Sequence, residues 1–255
     1  MSNDQSKTAK SRKILVALDF DHTIIDDNSD THIATLCPEG DVPKDIQDMF
    51  RVKGWTPYMG AIFEHLHKSG VNEVQMKESL CALPFTEGMM ELLTYLDKSK
   101  FDVIIISDSN SKFIDYILRD ANLNHIVQEV YTNPAYFDDT GCLRINFYHT
   151  QDWCDLSTEN LCKGSVLEDH VKKQEASIQY DHVIYIGDGI NDLCPALKLS
   201  DKDYICPRKG YSLWKKMKKM GHLDGEVSEL EMRAKILEWA SATDILQLVK
   251  NLERN

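Results

Sequence analysis

The chain has 255 residues, of which 42% are hydrophobic and 27% are charged. This composition suits one large α/β domain or a domain that carries an insertion. The formal net charge of -12 argues against sequence-independent binding to nucleic acid or to an anionic membrane. No apolar run approaches the roughly 20 residues that span a bilayer, and residues 1–13 contain no signal-peptide core. We therefore predict a cytoplasmic protein whose partners are small molecules, and leave its oligomeric state open.

The first third of the chain divides into three segments. Residues 1–12 are polar and basic and are predicted to be disordered. A first buried strand follows, with the sequence ILVALDF. Between residues 28 and 84 the apolar residues recur at helical spacing, and Gly54 and Gly70 divide them. This pattern predicts an all-helical insert over 28–84, with residues 13–27 and 85–255 forming the main domain.

After Pro84 the sequence alternates between helical and strand patterns. Buried strands are predicted at FDVIIIS, VQEVYTN, HVIYIGD, DYICP and AKILEWA, and GCLRINFYHT is predicted as one arm of a hairpin. Amphipathic helices are predicted between the strands, and SATDILQLVKNLE is the last of them. The alternation predicts a mostly parallel sheet covered by helices, which is a Rossmann-like three-layer α/β/α fold.

Seven cysteines are spread along the chain, and no two of them form a CxxC pair. They are Cys37, Cys81, Cys142, Cys154, Cys162, Cys194 and Cys206. An odd number without close pairs argues against a disulfide framework and against a zinc site. The sequence therefore predicts reduced thiols, several of them in the core.

Polar clusters end three of the predicted strands. The clusters are DFDHT at 19–23, SDSN at 107–110 and GDGIND at 187–192. Parallel strands share one edge at their carboxyl ends, where ligands bind in doubly wound folds. If the strands are neighbours, one pocket contains the side chains of Asp19, Asp21, Ser107, Asp188 and Asp192. Lys163, at the start of the helix before the third cluster, would join them.

Four carboxylates in one pocket repel one another, so a divalent cation is the simplest partner for them. Mg²⁺ fits best, because it prefers hard oxygen ligands and is usually held by one or two carboxylates together with a substrate phosphate. A hydroxyl, a lysine and backbone N–H groups at strand ends would complete a phosphate site.

These motifs resemble those of a known family. DFDHT, SDSN, Lys163 and GDGIND match, in order, the four motifs of the haloacid dehalogenase-like phosphatases. Longer segments are similar to the branch that contains pyridoxal phosphate phosphatase and phosphoethanolamine/phosphocholine phosphatase. The segments are DFDHTIIDDNSDTHI, LPFTEGM, DVIIISDSNSKFIDYIL, NFYHT, NLCKG, YIGDGINDLCP and PRKGY. The resemblance implies a parallel-sheet core with a small helical cap inserted after the first strand.

The resemblance also implies a role for each motif residue. Asp19 would be the nucleophile that forms an aspartyl-phosphate, and Asp21 the general acid and then the base. Ser107 and Lys163 would bind the phosphoryl oxygens.

The same resemblance implies the ligands of Mg²⁺. They would be the Asp19 carboxylate, the backbone carbonyl of Asp21 and the Asp188 carboxylate. Asp192 would either bind the ion directly or support a residue that does. Both alternatives stay open.

Substrate choice is assigned to the cap and to two further acids. By resemblance, Asp30 and Asp108 could face a cationic group of the substrate. The predicted activity is hydrolysis of a small phosphate monoester, with pyridoxal 5'-phosphate favoured over phosphoethanolamine or phosphocholine. Trp55, Tyr58 and Met59 are candidates for the inner face of the cap, but packing within the cap core is the favoured interpretation of these three residues. Members of this branch often carry a histidine and a cysteine-rich run before Lys163, whereas here the loop HTQDWCDLSTENLCKG has only Cys154 and Cys162. This departure argues against a metal or thiol role for the loop.

Two alternatives come from other functional classes. An EF-hand loop over residues 19–30 is disfavoured, because Ile24 stands where that loop requires Gly and a buried strand precedes it. A non-catalytic metal-binding protein on the same fold is the second alternative. The presence of both Asp19 and Asp21 favours the enzyme.

Overall fold

The computed structural model describes residues 10–222 and 231–254. Its strands are β1 (Ser11–Leu18), β2 (Phe101–Asn110), β3 (Glu129–Asn133), β4 (Ala135–Phe137), β5 (Leu143–Ile145), β6 (Ile178–Gly187), β7 (Tyr204–Pro207) and β8 (Lys235–Ile236). Six of them form one parallel sheet in the order β3-β2-β1-β6-β7-β8, and β4 pairs with β5 in an antiparallel hairpin. The predicted fold class is confirmed, because this is the strand order of a doubly wound Rossmann-like sheet.

Helices connect the strands and cover the sheet. They are α1 (Ser29–Ala34), α2 (Lys44–Lys53), α3 (Trp55–Lys68), α4 (Glu73–Cys81), α5 (Met89–Leu96), α6 (Ser111–Asp120), α7 (Lys163–Gln174), α8 (Leu193–Lys198), α9 (Ser212–Lys219) and α10 (Ala242–Arg254). Short 3₁₀ helices lie at Pro38–Gly40 and Ile190–Asp192. Within the two described ranges, none of the helices has both the length and the apolar character needed to cross a bilayer.

The sheet separates two apolar cores. Successive side chains of a strand point to opposite faces. Ile14, Val16 and Leu18 of β1 therefore join one buried cluster, and Leu15 and Ala17 join the other. A strand that is buried on both faces reads as a continuous apolar run, which explains why ILVAL was recognisable from sequence.

The helices α1 to α4 occupy the predicted insert between β1 and α5. Ile25 and Phe85, on either side of the insert, pair in an antiparallel bridge. Polar contacts tie the insert to the main domain: Arg144 in β5 forms an ion pair with Glu64 of α3 at 2.5 Å. The division at residues 28 and 84 remains a prediction, since helices alone do not establish a separate domain.

The ends of the sheet differ from the sequence prediction. Ser11 and Arg12, assigned to a disordered segment, instead pair with Ile178 and Gln179 of β6, and residues 1–9 of that segment lie outside the described residues. The last predicted strand is reduced to β8, and further along it Trp239 makes only an isolated bridge to Arg208. The Trp239 indole is fully buried and donates to the Cys206 carbonyl, so core packing rather than strand pairing explains this apolar segment.

Candidate active site

The three polar clusters meet at one edge of the sheet. Leu18 at the end of β1 pairs with Ile105 of β2 on one side and with Ile186 of β6 on the other. Asp19, Ser107 and Asp188 follow one or two residues beyond these pairs. The predicted neighbourhood of the three strands is therefore confirmed, and the order of the sheet reverses here, at the position where doubly wound folds bind ligands.

A buried ion-pair network forms the centre of the site. Nζ of Lys163, the first residue of α7, lies 2.6 Å from Oδ2 of Asp19 and 2.9 Å from Oδ1 of Asp192. The Lys163 side chain is 1% exposed. Burial alone would lower the pKa of Lys163, but the charges of Asp19 and Asp192 outweigh it and raise the pKa. Lys163 therefore stays an ammonium group at neutral pH.

Asp192 is held by donors on both of its oxygens. Its Oδ1 accepts from Lys163 Nζ and from the Tyr185 hydroxyl at 2.8 Å. Its Oδ2 accepts from the backbone N–H groups of Asp188 at 3.1 Å and Gly189 at 2.9 Å. Four donors use most of the acceptor capacity of a carboxylate. Asp192 therefore supports Lys163 and the turn after β6. Of the two predicted roles, these contacts favour support of the ion through another residue over direct binding.

Asp188 is the carboxylate best placed to share a cation with Asp19. Oxygen atoms of Asp19, Asp188 and Asp192 lie within 4.8 Å of one another. Thr23 Oγ1 donates to Asp188 Oδ1 at 3.5 Å. Burial, with the charge of Asp192 next, raises the pKa of Asp188 to about 7. Burial also raises the pKa of Asp19, against the effect of Lys163.

Mg²⁺ fits this donor set. Two buried carboxylates with raised pKa values need more positive charge than a single lysine supplies, and a cation between them would favour their ionised forms. Oxygen ligands of this kind are those that Mg²⁺ prefers. The Asp19 and Asp188 carboxylates and the backbone carbonyl of Asp21 therefore stay the predicted ligands of the ion.

Asp21 lies in a different environment from Asp19. Its Oδ1 accepts from the backbone N–H of Ser29, the first residue of α1, at 2.9 Å. Burial raises the pKa of Asp21 to about 7, although the Ser29 hydrogen bonds lower it. A carboxyl group with such a pKa can donate a proton near neutral pH, which is the property that the predicted general acid needs.

Ser107 and Asp108 follow the apolar part of β2. The Ser107 side chain is fully buried, and its Oγ accepts from the Ser109 N–H at 3.2 Å. The Asp108 carboxylate accepts from Asn191 Nδ2 at 3.1 Å. Asn191 was not a predicted site residue, because nothing in the GDGIND motif indicates which side chain reaches β2.

Asp30 lies within α1 and is 2% exposed. Its Oδ2 accepts from Trp55 Nε1 at 2.7 Å, whereas Oδ1 is buried and has no hydrogen-bond partner in the described part of the chain. Burial raises the pKa of Asp30, and the charges of Asp21 and Asp108 add to that shift. Asp30 is therefore a buried acid beside the site that needs a positively charged or donating partner.

The residues predicted for the inner face of the cap pack against other residues of the cap. Trp55 bonds Asp30 and also packs against Phe50 and Tyr58, with ring centroids 5.5 Å and 5.4 Å away. Met59 is fully buried in the apolar core, which agrees with the interpretation that it packs the core of the cap.

Three cysteines form a cluster at the start of α7, the helix that begins with Lys163. Cys154, Cys162 and Cys194 place their sulfur atoms within 4.8 Å of one another. These cysteines are far apart along the chain, which was the argument from sequence against a zinc site, but the fold brings their sulfur atoms together. Burial opposes ionisation of Cys162, but hydrogen bonds from Ser157 and Ser165 outweigh it and lower its pKa to about 7.

Known proteins are similar to this chain in sequence or in fold. Residues 14–252 match the model of a family described as "Putative Phosphatase". The chain is 44% identical to pyridoxal phosphate phosphatase of Homo sapiens over 92% of this chain and 96% of that protein. It is 30% identical to phosphoethanolamine/phosphocholine phosphatase of Gallus gallus over 94% and 89% of the two chains. A crystal structure of phosphoserine phosphatase in apo form superposes with a TM-score of 0.61 at 17% identity, over 92% of this chain and 98% of the other.

Proposed function

Because the chain belongs to the Putative Phosphatase family, we propose that it hydrolyses pyridoxal 5'-phosphate through a phosphorylated Asp19. Family membership makes the chain a phosphatase of the haloacid dehalogenase type; the substrate, the metal and the covalent step are the proposal. The observation that carries it is the buried contact of Lys163 with Asp19, 2.6 Å long, at the carboxyl edge of the sheet.

In the proposed first half-reaction an Asp19 oxygen attacks phosphorus, and the bond from phosphorus to the leaving alkoxide breaks. Asp21 gives its proton to that alkoxide. Lys163 is fixed by Asp19 and Asp192, so its charge is oriented before the substrate arrives. Ser107 supplies a hydroxyl donor to a phosphoryl oxygen.

In the second half-reaction Asp21, now ionised, takes a proton from water, which attacks phosphorus and releases phosphate from Asp19. The hydrogen bond from the Ser29 N–H to Asp21 holds this carboxylate in place for both proton transfers. Mg²⁺, held by Asp19, Asp188 and the Asp21 carbonyl, would reduce the repulsion between Asp19 and the phosphate.

The substrate proposal is supported by the high identity to pyridoxal phosphate phosphatases and by Asp30. The free Oδ1 of Asp30 is a buried acceptor beside Asp21, suited to the protonated pyridine nitrogen of pyridoxal 5'-phosphate. The same oxygen would accept from an ammonium group. Phosphoethanolamine is therefore the second candidate, and phosphocholine, which has no N–H, would interact only through its charge.

Phosphate release from four monoesters tests the proposal. With Mg²⁺, kcat/KM is expected to be higher for pyridoxal 5'-phosphate than for phosphoethanolamine, phosphocholine or phosphoserine. A chelator should abolish release, and excess Mg²⁺ alone should restore it, because the Asp19 and Asp188 carboxylates require a cation. Equal rates on all four substrates would reject the assigned specificity. Chelator-resistant release would reject the metal.

Asp30→Asn is expected to lower kcat/KM for pyridoxal 5'-phosphate by about 10- to 100-fold, the equivalent of about 1.5–3 kcal/mol for a hydrogen bond to a charged group. For an aryl phosphate without a cationic group, kcat/KM should fall much less, since that substrate offers Asp30 no cation. The measurement compares the two substrates on the same enzyme. The amide oxygen of the substituted side chain can still accept from Trp55, so the cap contact is retained.

Asp27→Asn is the matched control, because Asp27 lies on the same segment with a side chain that is 45% exposed. Asp27→Asn should leave kcat/KM unchanged for both substrates. If Asp30→Asn lowers kcat/KM equally for the substrate with a cationic group and for the one without, Asp30 positions the cap and does not recognise the substrate.

A further inference from the structure

The cysteine cluster at the start of α7 has the spacing of a metal site. The Sγ atom of Cys194 lies 3.4 Å from that of Cys154 and 3.7 Å from that of Cys162. Zinc–thiolate bonds of about 2.3 Å place neighbouring sulfur ligands about 3.8–4.0 Å apart in a tetrahedral or trigonal site. Only small movements of the side chains would bring the three sulfur atoms around one ion.

The backbone makes room for this cluster. At Gly164 a Cβ atom would lie 2.4 Å from Cys194 Sγ, so a glycine is required where α7 passes the sulfur atoms. Cys162 and Cys194 are buried, and Cys154 is partly exposed. An ion could therefore enter from the side of Cys154 and reach the two buried thiols.

The loop that carries Cys154 is already ordered by its own hydrogen bonds. Residues 146–162 form no regular helix or strand. Nε2 of Gln151 donates to the carbonyls of Cys154 at 3.2 Å and of Thr158 at 2.7 Å, while its Oε1 accepts from the Cys154 N–H at 2.9 Å. A loop of this length in a compact domain usually has a function. Gln151 therefore fixes the backbone on both sides of the partly exposed Cys154 thiol.

We propose that Cys154, Cys162 and Cys194 bind a zinc ion that fastens the loop 146–162 to the first turns of α7 and α8. Thiolates are soft ligands that select zinc over magnesium. Three protein ligands leave a fourth position for water or another ligand, as in open zinc sites. The inference does not depend on the proposed substrate or on the carboxylate site.

The location gives the ion a structural task. Cys162 directly precedes Lys163, and Cys194 lies two residues after Asp192. The ion would therefore join the two segments whose side chains form the buried Lys163–Asp192 contact. Loss of zinc is expected to lower the thermal midpoint of the whole protein.

The test uses the whole 255-residue chain, reduced and then loaded with zinc in the presence of excess Mg²⁺, which competes with zinc for carboxylate ligands. After desalting, metal analysis should find one zinc per chain in the wild type and in the control Cys81→Ser, whose thiol lies outside the cluster in α4. Cys194→Ser and Cys154→Ser should bind zinc at least about tenfold more weakly, because loss of even an outer partner has that effect.

Two measurements on the wild type keep the test valid if a variant fails to fold. Cobalt should give thiolate charge-transfer absorption in the near ultraviolet, which carboxylate ligands do not produce. Zinc should protect Cys154 from alkylation and leave Cys81 unprotected, and mass spectrometry would measure the extent of alkylation at each residue. Absence of charge-transfer absorption, equal zinc retention by Cys154→Ser, or a Cys154–Cys194 disulfide in protein that binds no zinc would overturn the proposal.

Discussion

Replacing Asp19 by Asn is expected to lower kcat for phosphate release by at least about 10³-fold, because it removes the proposed nucleophile. The fold should survive. Lys163 keeps its contact with Asp192 at 2.9 Å, and an Asn side chain can still accept from the Phe20 N–H, which donates to Asp19 Oδ1 at 2.7 Å. Circular dichroism and the thermal midpoint would establish that the variant is folded.

Asp201→Asn is the matched control for this experiment. Asp201 is exposed in a turn before β7, and the same chemical change there should leave kcat unaltered. Acid-quenched wild-type protein should carry phosphate on the peptide that contains Asp19, and the Asn variant should carry none. Turnover by Asp19→Asn close to that of the wild type would assign the attack on phosphorus to water or to another residue.

The position of this site could be predicted because its determinants are local. A buried strand has a continuous apolar sequence, its end is marked by the first polar residue after that run, and parallel strands place their ends at one edge. Asp19, Ser107 and Asp188 satisfy all three conditions. The sequence could therefore assign them to one pocket without any knowledge of loop paths.

Contacts that depend on loop paths could not be predicted in this way. Trp55 reaches Asp30 only because α3 packs over α1, and the sequence had no signal for that approach. The three thiols of the zinc proposal are separated by segments whose paths no periodicity determines. The role of Asp192 was left open for a similar reason, since it depends on Tyr185 and two backbone N–H groups that share its oxygens.

Lys163→Met is expected to lower the free energy of unfolding by about 3–5 kcal/mol, because it leaves buried carboxylates without their cation. Urea unfolding without Mg²⁺ would measure the change. Lys198→Met is the matched control: Lys198 pairs with Glu168 at 3.1 Å, but both side chains are exposed by 42% or more. Because solvent screens that pair, Lys198→Met should lower the free energy of unfolding by less than about 1 kcal/mol.

The response to Mg²⁺ separates loss of charge from loss of packing in the Lys163→Met variant. Without the ammonium group, Asp19 and Asp188 should bind Mg²⁺ more tightly, and ligand binding to the folded state raises its stability. The rise in thermal midpoint with Mg²⁺ should therefore be larger for Lys163→Met than for the wild type or Lys198→Met. An equal rise in all three proteins would mean that the lysine stem packs the core, and that its charge contributes little to the carboxylate site. The variant should also bind inorganic phosphate more weakly than the wild type, because tighter Mg²⁺ binding does not replace the lysine donor.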